Sequence, residues 1–310
     1  MKFRSSIVYI FAFTVQFITA QPNYPTNAND AELITIDVKN FVEAINAISS
    51  DKDTLLVLQK MYFDKATIGL KEYIRRFNLS AESLSKAIHR YPETYKNIEK
   101  FYNEISTIES DYPGEMRRFK EVLPNAIFPP TYFIVGDYSG YANASKFGQL
   151  VSIEKSTENH EKLKNLIIHE LTHFQQAMSM GIEKYSAVYS RTDNMLELIL
   201  REGGAEFITY NLIRQNVEQF EKLKFYEKNE VEYWDRFNAD VIEQDKTIWL
   251  KAPTIENRKK NLWFLGYCLG YKIVESYYNQ SKNKAVAIEE ILRMNNADQF
   301  LKISKYSPSD

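Results

Sequence analysis

Leu166–Gln176 reads LIIHELTHFQQ and sets a His-Glu-x-x-His run, His169, Glu170 and His173, inside an apolar helical pattern. A spacing of four puts both imidazoles on one helix face, a turn apart, where both reach one metal ion. Neutral imidazole nitrogen suits zinc, and two histidines leave positions for a further protein ligand and a water. Glu170 follows the first histidine on the flank of that face. There its carboxylate can take a proton from a water whose pKa the metal has lowered. A helix carrying two hydrogen-bonded core histidines is the alternative. Leu166, Ile167, Ile168, Leu171 and Phe174 mark the helix as mostly buried, however, and buried imidazoles need partners. One metal serves both.

A catalytic site of this kind needs a third protein ligand. Downstream, Leu200–Phe207 (LREGGAEF) carries Glu202 and Glu206 on one helical face, four apart. Glu202 reads as the third ligand, with Glu197 as the fallback and His160 the weaker alternative. Glu206 reads as the acceptor that orients a ligating imidazole through its other ring nitrogen. Gly203 and Gly204 each cost a helix about 1 kcal/mol relative to alanine, so a close helix–helix contact is expected at them, with the metal helix as its partner. Exposed glutamates beside a packing notch are the competing reading.

Outward from these segments, the residues from about Phe41 to Leu123 recur at helical spacing, as in Phe41, Ala44, Ile45 and Ile48. Leu33–Val38 reads as a short strand or an extended entry to a helix. Beyond Pro124, Thr131–Val135 (TYFIV) and Leu150–Glu154 (LVSIE) are strand candidates, with Gly136–Gly148 a long loop between them. Helical patterns resume over Glu158–Met180, Asp193–Val217, Glu227–Gln244, Glu256–Gln280, Lys284–Met294 and Asp298–Ser304. The expectation is a predominantly α-helical α+β fold with a short β-sheet before the HExxH helix. Residues 21–310 form a single domain, helical to about residue 123.

Composition narrows the function classes. The 310 residues are 44% hydrophobic and 26% charged, with a formal charge of −2, so no basic surplus points to nucleic acid. The single cysteine, Cys268, excludes an intrachain disulfide and cysteine-based metal sites, and reads as a small core residue. Met1–Ala20 (MKFRSSIVYIFAFTVQFITA) has a basic start, an apolar run and a small residue at its end, the pattern of a signal peptide. Its apolar run is shorter than the ~20 residues that span a bilayer. No integral membrane span is expected after cleavage, and the chain is expected to be exported, periplasmic or secreted. Near the C-terminus, Tyr267 and Tyr271 share a helical face, and a phenol there could stabilise the oxyanion of peptide hydrolysis. Core packing is the competing reading for both.

HELTH followed by EGGAE resembles the gluzincin metallopeptidases, in which HExxH supplies two zinc ligands and a glutamate on a later helix the third. The chain as a whole resembles the bacterial zinc-dependent protease families of the cell envelope, related to a gliding-motility lipoprotein. Ile34–Ile48, Tyr62–Phe77 and Phe264–Tyr278 extend that likeness. It implies a zincin-like fold, one Zn2+ per chain on His169, His173 and Glu202, Glu170 as general base, and a peptide or protein substrate. It also implies an edge strand that binds substrate backbone, a place that Leu150–Glu154 fits. The separation of 29 positions between His173 and Glu202 departs from longer gluzincins. A noncatalytic envelope protein on the same fold, or a zinc amidase acting on a cell-wall amide, are the alternatives to a peptidase.

Overall fold

The computed structural model describes residues 24–48, 53–140, 142–155, 159–191, 193–214, 217–244, 249–250 and 264–308, with the backbone alone at 217–221. The signal-peptide reading of Met1–Ala20 lies outside them, as does the start of the helix expected from Glu256. The fold is α+β and mostly helical. Its four-stranded sheet has the order β1 (Leu33–Ile34), β2 (Thr131–Ile134), β4 (Gly148–Ser152), β3 (Ala142–Ser145). β1–β2 and β2–β4 are parallel, whereas β3 turns back antiparallel on β4, pairing Ala142 with Val151 and Ser145 with Gly148.

Two sequence expectations change here. The Gly136–Gly148 stretch is not all loop, because β3 runs through it. Its residues, Ala-Asn-Ala-Ser, have little β preference, and their pairing with β4 is what makes them a strand. Leu150–Glu154 in turn yields an interior strand that starts at Gly148 and ends at Ser152, so it is not an edge. Every residue of β2 and β4 is buried, the polar Thr131, Gln149 and Ser152 included, which explains why neither segment alternates inward apolar with outward polar residues. The edge beside the cleft described below is β3. At the hairpin, Gly148 holds φ +133°, and a Cβ there would meet the Pro130 carbonyl oxygen at 2.1 Å. That position admits only glycine.

Helices α1 (Ile36–Ala47), α2 (Thr54–Leu58, running into a π turn), α3 (Ile68–Phe77), α4 (Ala81–Arg90) and α5 (Pro92–Val122) form the front half. α1 and α3 pack on the sheet. Then come α6 (His160–Met180), α7 (Ile182–Ser190), α8 (Met195–Phe207, running into a π turn), α9 (Val217–Glu227) and α10 (Glu230–Glu243). The last three are α11 (Leu265–Gln280), α12 (Lys284–Arg293) and α13 (Ala297–Ser304). α6 lies against β3, β4 and α8. It starts where the Asn159 side chain accepts the Lys162 N–H at 2.9 Å, and it stops at Gly181, φ +93°. Leu163, Ile167, Ile168 and Leu171 are fully or almost fully buried, fixing the rotation of α6 and hence the direction of its histidines.

Candidate metal centre and cleft

The rotation of α6 turns His169 and His173 toward α8, and α8 answers with Glu202. Nε2 of His173 lies 3.0 Å from Nε2 of His169 and 3.1 Å from Oε2 of Glu202, and the His169–Glu202 separation is 3.4 Å. These three atoms form the one group among the described residues with the ligand types and spacing of a metal site. Zinc–ligand bonds of 2.0–2.1 Å in tetrahedral geometry separate neighbouring ligand atoms by about 3.3 Å, close to the observed triangle.

The hydrogen-bond network shows what the triangle wants. Gln176 Nε2 donates to the Arg201 carbonyl oxygen at 2.9 Å, so the Gln176 Oε1 is the atom facing His173 Nδ1, at 2.9 Å. Nδ1 must then carry the proton, and Nε2 presents a lone pair to the neighbouring Nε2 and to a carboxylate. Three lone-pair atoms converge in a buried place, an arrangement that needs a cation. In the metal-free protein a proton takes that part. Burial alone would lower the His173 pKa, but the Glu202 carboxylate outweighs it and lifts the pKa to about 9. Glu202 is held well below the usual carboxylate range: the two imidazoles overcome the opposing effect of burial.

Glu206 sits one turn on, its Oε1 3.5 Å from His169 Nδ1, an ion-pair distance longer than a good hydrogen bond. Its Oε2 is buried with no hydrogen-bond partner, and burial pushes the carboxyl up. An orphaned carboxylate oxygen beside the His169 imidazole also fits a site built around positive charge. Glu170 lines the same cleft; burial raises its pKa, against the pull of His173 and His169.

The triangle lies in a cleft of about 1180 Å³ between β3, α6, α7, α8 and α11. Tyr267 reaches this cleft. The nearby Glu202 charge, and then burial, push its phenol well above its ordinary pKa, so it stays a proton donor. Tyr271 does not line it. One turn further along α11, its ring packs on Phe207 at 5.5 Å and its hydroxyl accepts from Asn211 Nδ2 at 3.0 Å. Cys268 is fully buried and borders the cleft from the same helix. The fallback ligands are also elsewhere: Glu197 pairs with the buried Arg201 at 2.8 Å, and His160 faces Glu104 at 3.5 Å.

The glycine notch is real but has a different partner from the one expected. A Cβ on Gly203 would lie 2.0 Å from the Gly270 carbonyl carbon, so the notch receives α11 and not the metal helix. Glu202 points at α6, and its neighbour, a hundred degrees round the helix, faces away from it. Of the two glycines Gly204 is the one that faces α6: a Cβ on it would lie 3.5 Å from Gln176 Nε2.

Sequence reasoning missed Gln176, although its place three residues after His173 on one helix face was a usable signal. It also missed Tyr185 and Tyr189 of α7, whose hydroxyls meet at 3.0 Å on the cleft wall. No spacing links α7 to the motif; only the tertiary fold brings it there.

Residues 33–287 match a family model described as "Putative zinc dependent peptidase (DUF5700)". No curated protein and no solved structure matches the chain.

Proposed function

The chain belongs to this zinc-dependent peptidase family, and from that premise we propose that it is an exported metallopeptidase of gluzincin type, a single domain after removal of Met1–Ala20. The observation that carries the reading is the triangle of His169, His173 and Glu202 atoms on the wall of a cleft that Glu170 shares. One zinc per chain, held by those three residues, would supply a Lewis acid that acidifies water and polarises a scissile carbonyl. Glu170 accepts the proton of the attacking water and delivers it to the leaving amine. Its elevated pKa suits a group that must both take and give a proton. Tyr267, and not Tyr271, donates to the oxyanion, because Tyr267 alone of the two borders the cleft. Glu206 and Gln176 hold the imidazoles in register.

Substrate backbone adds to β3, the outer strand of the sheet on this side, whose residues Ala142–Ser145 all border the cleft. Small side chains there let a peptide approach closely. No helix among the described residues is long and apolar enough to cross a membrane, which is compatible with export of the mature chain.

The test combines metal analysis with a mixed peptide library read by mass spectrometry. Wild type should hold one zinc per chain and cleave peptides. Glu170→Gln should keep the zinc and lose about 100- to 10,000-fold in rate, since an amide cannot take a proton from water. Equal rates for the two proteins would overturn the mechanism.

A further inference from the structure

The charges on the cleft wall are separated in a way that the metal chemistry does not require. Three acidic residues line the cleft, Glu170, Glu202 and Glu206, and all three belong to the metal centre. Away from it, the lining charges are cationic, Arg76, Lys146, Lys155 and Lys162, while Lys222 stands near enough to Glu206 to oppose the rise of its pKa. This occurs in a chain whose formal charge is −2, so the basic lining is local and not a reflection of composition.

These cations differ in how far they are already satisfied. Arg76 is paired with Glu72 at 2.7 Å and reaches the β3 carbonyl of Ala144 at 3.0 Å. Its charge is therefore largely spent on holding the β3 edge to α3. The Lys155 ammonium donates to the carbonyls of Gly140 at 2.9 Å and Tyr138 at 3.2 Å, which fix its position without cancelling its charge. Lys146, in the β3–β4 turn, lies over the Phe147 ring at 4.9 Å. Lys146 and Lys162 are both exposed and have no carboxylate partner among the described residues. A ring face leaves an ammonium its full charge.

Position along α6 converts this into a register. Lys162, Leu166, His169 and His173 follow the i, i+4, i+7, i+11 pattern of one helix face, and all line the cleft. Seven residues at 1.5 Å place Lys162 about 10 Å from His169 along the axis. An extended peptide covers that distance in about three residues. Beyond the histidines, toward the C-terminal end of α6, the lining turns apolar and aromatic with Phe174, Met178, Ile182, Tyr185 and Tyr189. Lys146 stands on this same side of the histidines: the Tyr24 hydroxyl bonds its carbonyl oxygen, and the Tyr24 ring lies 5.2 Å from that of Phe174. Exposed cations therefore flank the metal centre toward both ends of the cleft, Lys162 on one side and Lys146 on the other.

We propose that this cleft selects peptides carrying acidic side chains near the scissile bond, about three residues from it on the Lys162 side, with Lys162 and Lys146 as the principal readers on the two sides of the metal centre. The proposal rests on the peptidase reading above for the position of the scissile bond. A solvent-exposed charge pair contributes a factor of about 1.5 to 5, so two or three together give about tenfold. Ionic strength of 1 M, where the screening length is about 3 Å, should remove most of that preference.

The experiment uses three fluorescein-labelled dodecapeptides of equal length: an acidic block followed by an apolar block, the same blocks in reverse order, and the first peptide with Lys in place of Asp and Glu. Cleavage by the zinc-loaded wild type is measured beside anisotropy binding to zinc-loaded Glu170→Gln, at low salt and at 1 M. Both acidic peptides should be cut and bound about tenfold better than the basic one at low salt, with the advantage fading at 1 M. Lys146→Glu/Lys162→Glu, made in each background with zinc content unchanged, should abolish or invert the preference. Equal or absent binding of acidic and basic peptides, or a preference that survives the double reversal, would overturn the proposal. If no peptide is cut by wild type, the peptidase reading falls, while the binding arm still decides the charge preference.

Discussion

The two faces of α8 do opposite jobs with adjacent residues. One face presents Glu202 and Glu206 to the α6 histidines through polar contacts of 3.1 to 3.5 Å. The other presents Gly203 to the α11 backbone so closely that a single methyl group has no room. Ile199 continues that second face, its carbonyl oxygen 2.0 Å from where a Gly270 Cβ would stand. The polar face contains the chemistry but little steric definition, since carboxylate side chains rotate. Backbone contact on the glycine face fixes where Glu202 starts from. A carboxylate on one side of a helix is positioned by the absence of side chains on the other.

The largest effect should come from the polar face. Glu202→Ala leaves two imidazoles without a carboxylate, so zinc retention against a competing chelator should fall nearly to nothing, and hydrolysis with it. Helix content by circular dichroism should stay at the wild-type level, because the Gly203–Gly270 contact is untouched. Full zinc retention in this variant would show that Glu202 is not a ligand.

Gly203→Ala attacks the opposite face and should destabilise the protein by about 1–3 kcal/mol, since the clash is with backbone that cannot rotate away. It should also weaken zinc binding, although residue 203 does not touch the metal centre. Gly204→Ala is the control. Its Cβ would meet the Ile291 Cγ2 methyl at 3.0 Å, a tight contact but with a side chain and not with backbone, and alanine gains about 1 kcal/mol of helix propensity to offset it. Urea unfolding should therefore leave Gly204→Ala within about 1 kcal/mol of wild type. Equal losses in the two variants would mean that the two glycines do not differ as the close approach implies.

How much of this was legible beforehand follows from the range of each interaction. The His169–His173 pair and the neighbouring Glu170 are set by spacing within one helix, so the sequence displays them directly. That Glu202 would meet the histidines was legible because a carboxylate and a glycine pair coincide in LREGGAEF. Which helix fills the notch was not, since neither Gly203 nor Gly270 states its partner. β3 was invisible because Ala-Asn-Ala-Ser is short and contains no β-branched or aromatic residue, and its strand character comes from pairing with β4. With β3 hidden, the interior β4 took its place as the expected edge. Tyr271 looked equivalent to Tyr267 on a helical wheel. The rise of one turn, which a wheel omits, carries Tyr271 past the cleft to Phe207.

Within the polar face, the two residues that hold the imidazoles should differ. Gln176 bonds His173 at 2.9 Å and is itself tied to the Arg201 carbonyl, next to Glu202. Glu206 stands 3.5 Å from His169 with an unpartnered oxygen. Gln176→Ala should cost about 10- to 100-fold in zinc affinity, and Glu206→Ala less. Titration against a chromophoric chelator ranks them. The reverse order would shift the main orienting contact to Glu206 and weaken the tautomer argument built on Gln176.

The smallest expected effect concerns protons, and its sign separates the metal-free polar face from the loaded one. His173 titrates near 9 in the metal-free protein against 6.5 ordinarily, because the Glu202 carboxylate outweighs burial. A raised folded-state pKa means that the folded chain holds this proton more tightly than the unfolded chain. The resulting stability is fully present below pH 6.5 and is lost as pH rises through 9. Between pH 7 and 9 the metal-free protein should therefore lose roughly 1–2 kcal/mol. Zinc competes for the same lone pairs, so its binding expels that proton and tightens as pH rises over the same interval. Thermal unfolding of chelator-treated protein should move down with pH, while the stabilisation added by a fixed zinc concentration moves up. The glycine face contains no group that titrates there, so Gly203→Ala should lower both curves without changing either slope. Parallel slopes for the metal-free and zinc-loaded protein would mean that proton and metal do not share the His173–Glu202 site.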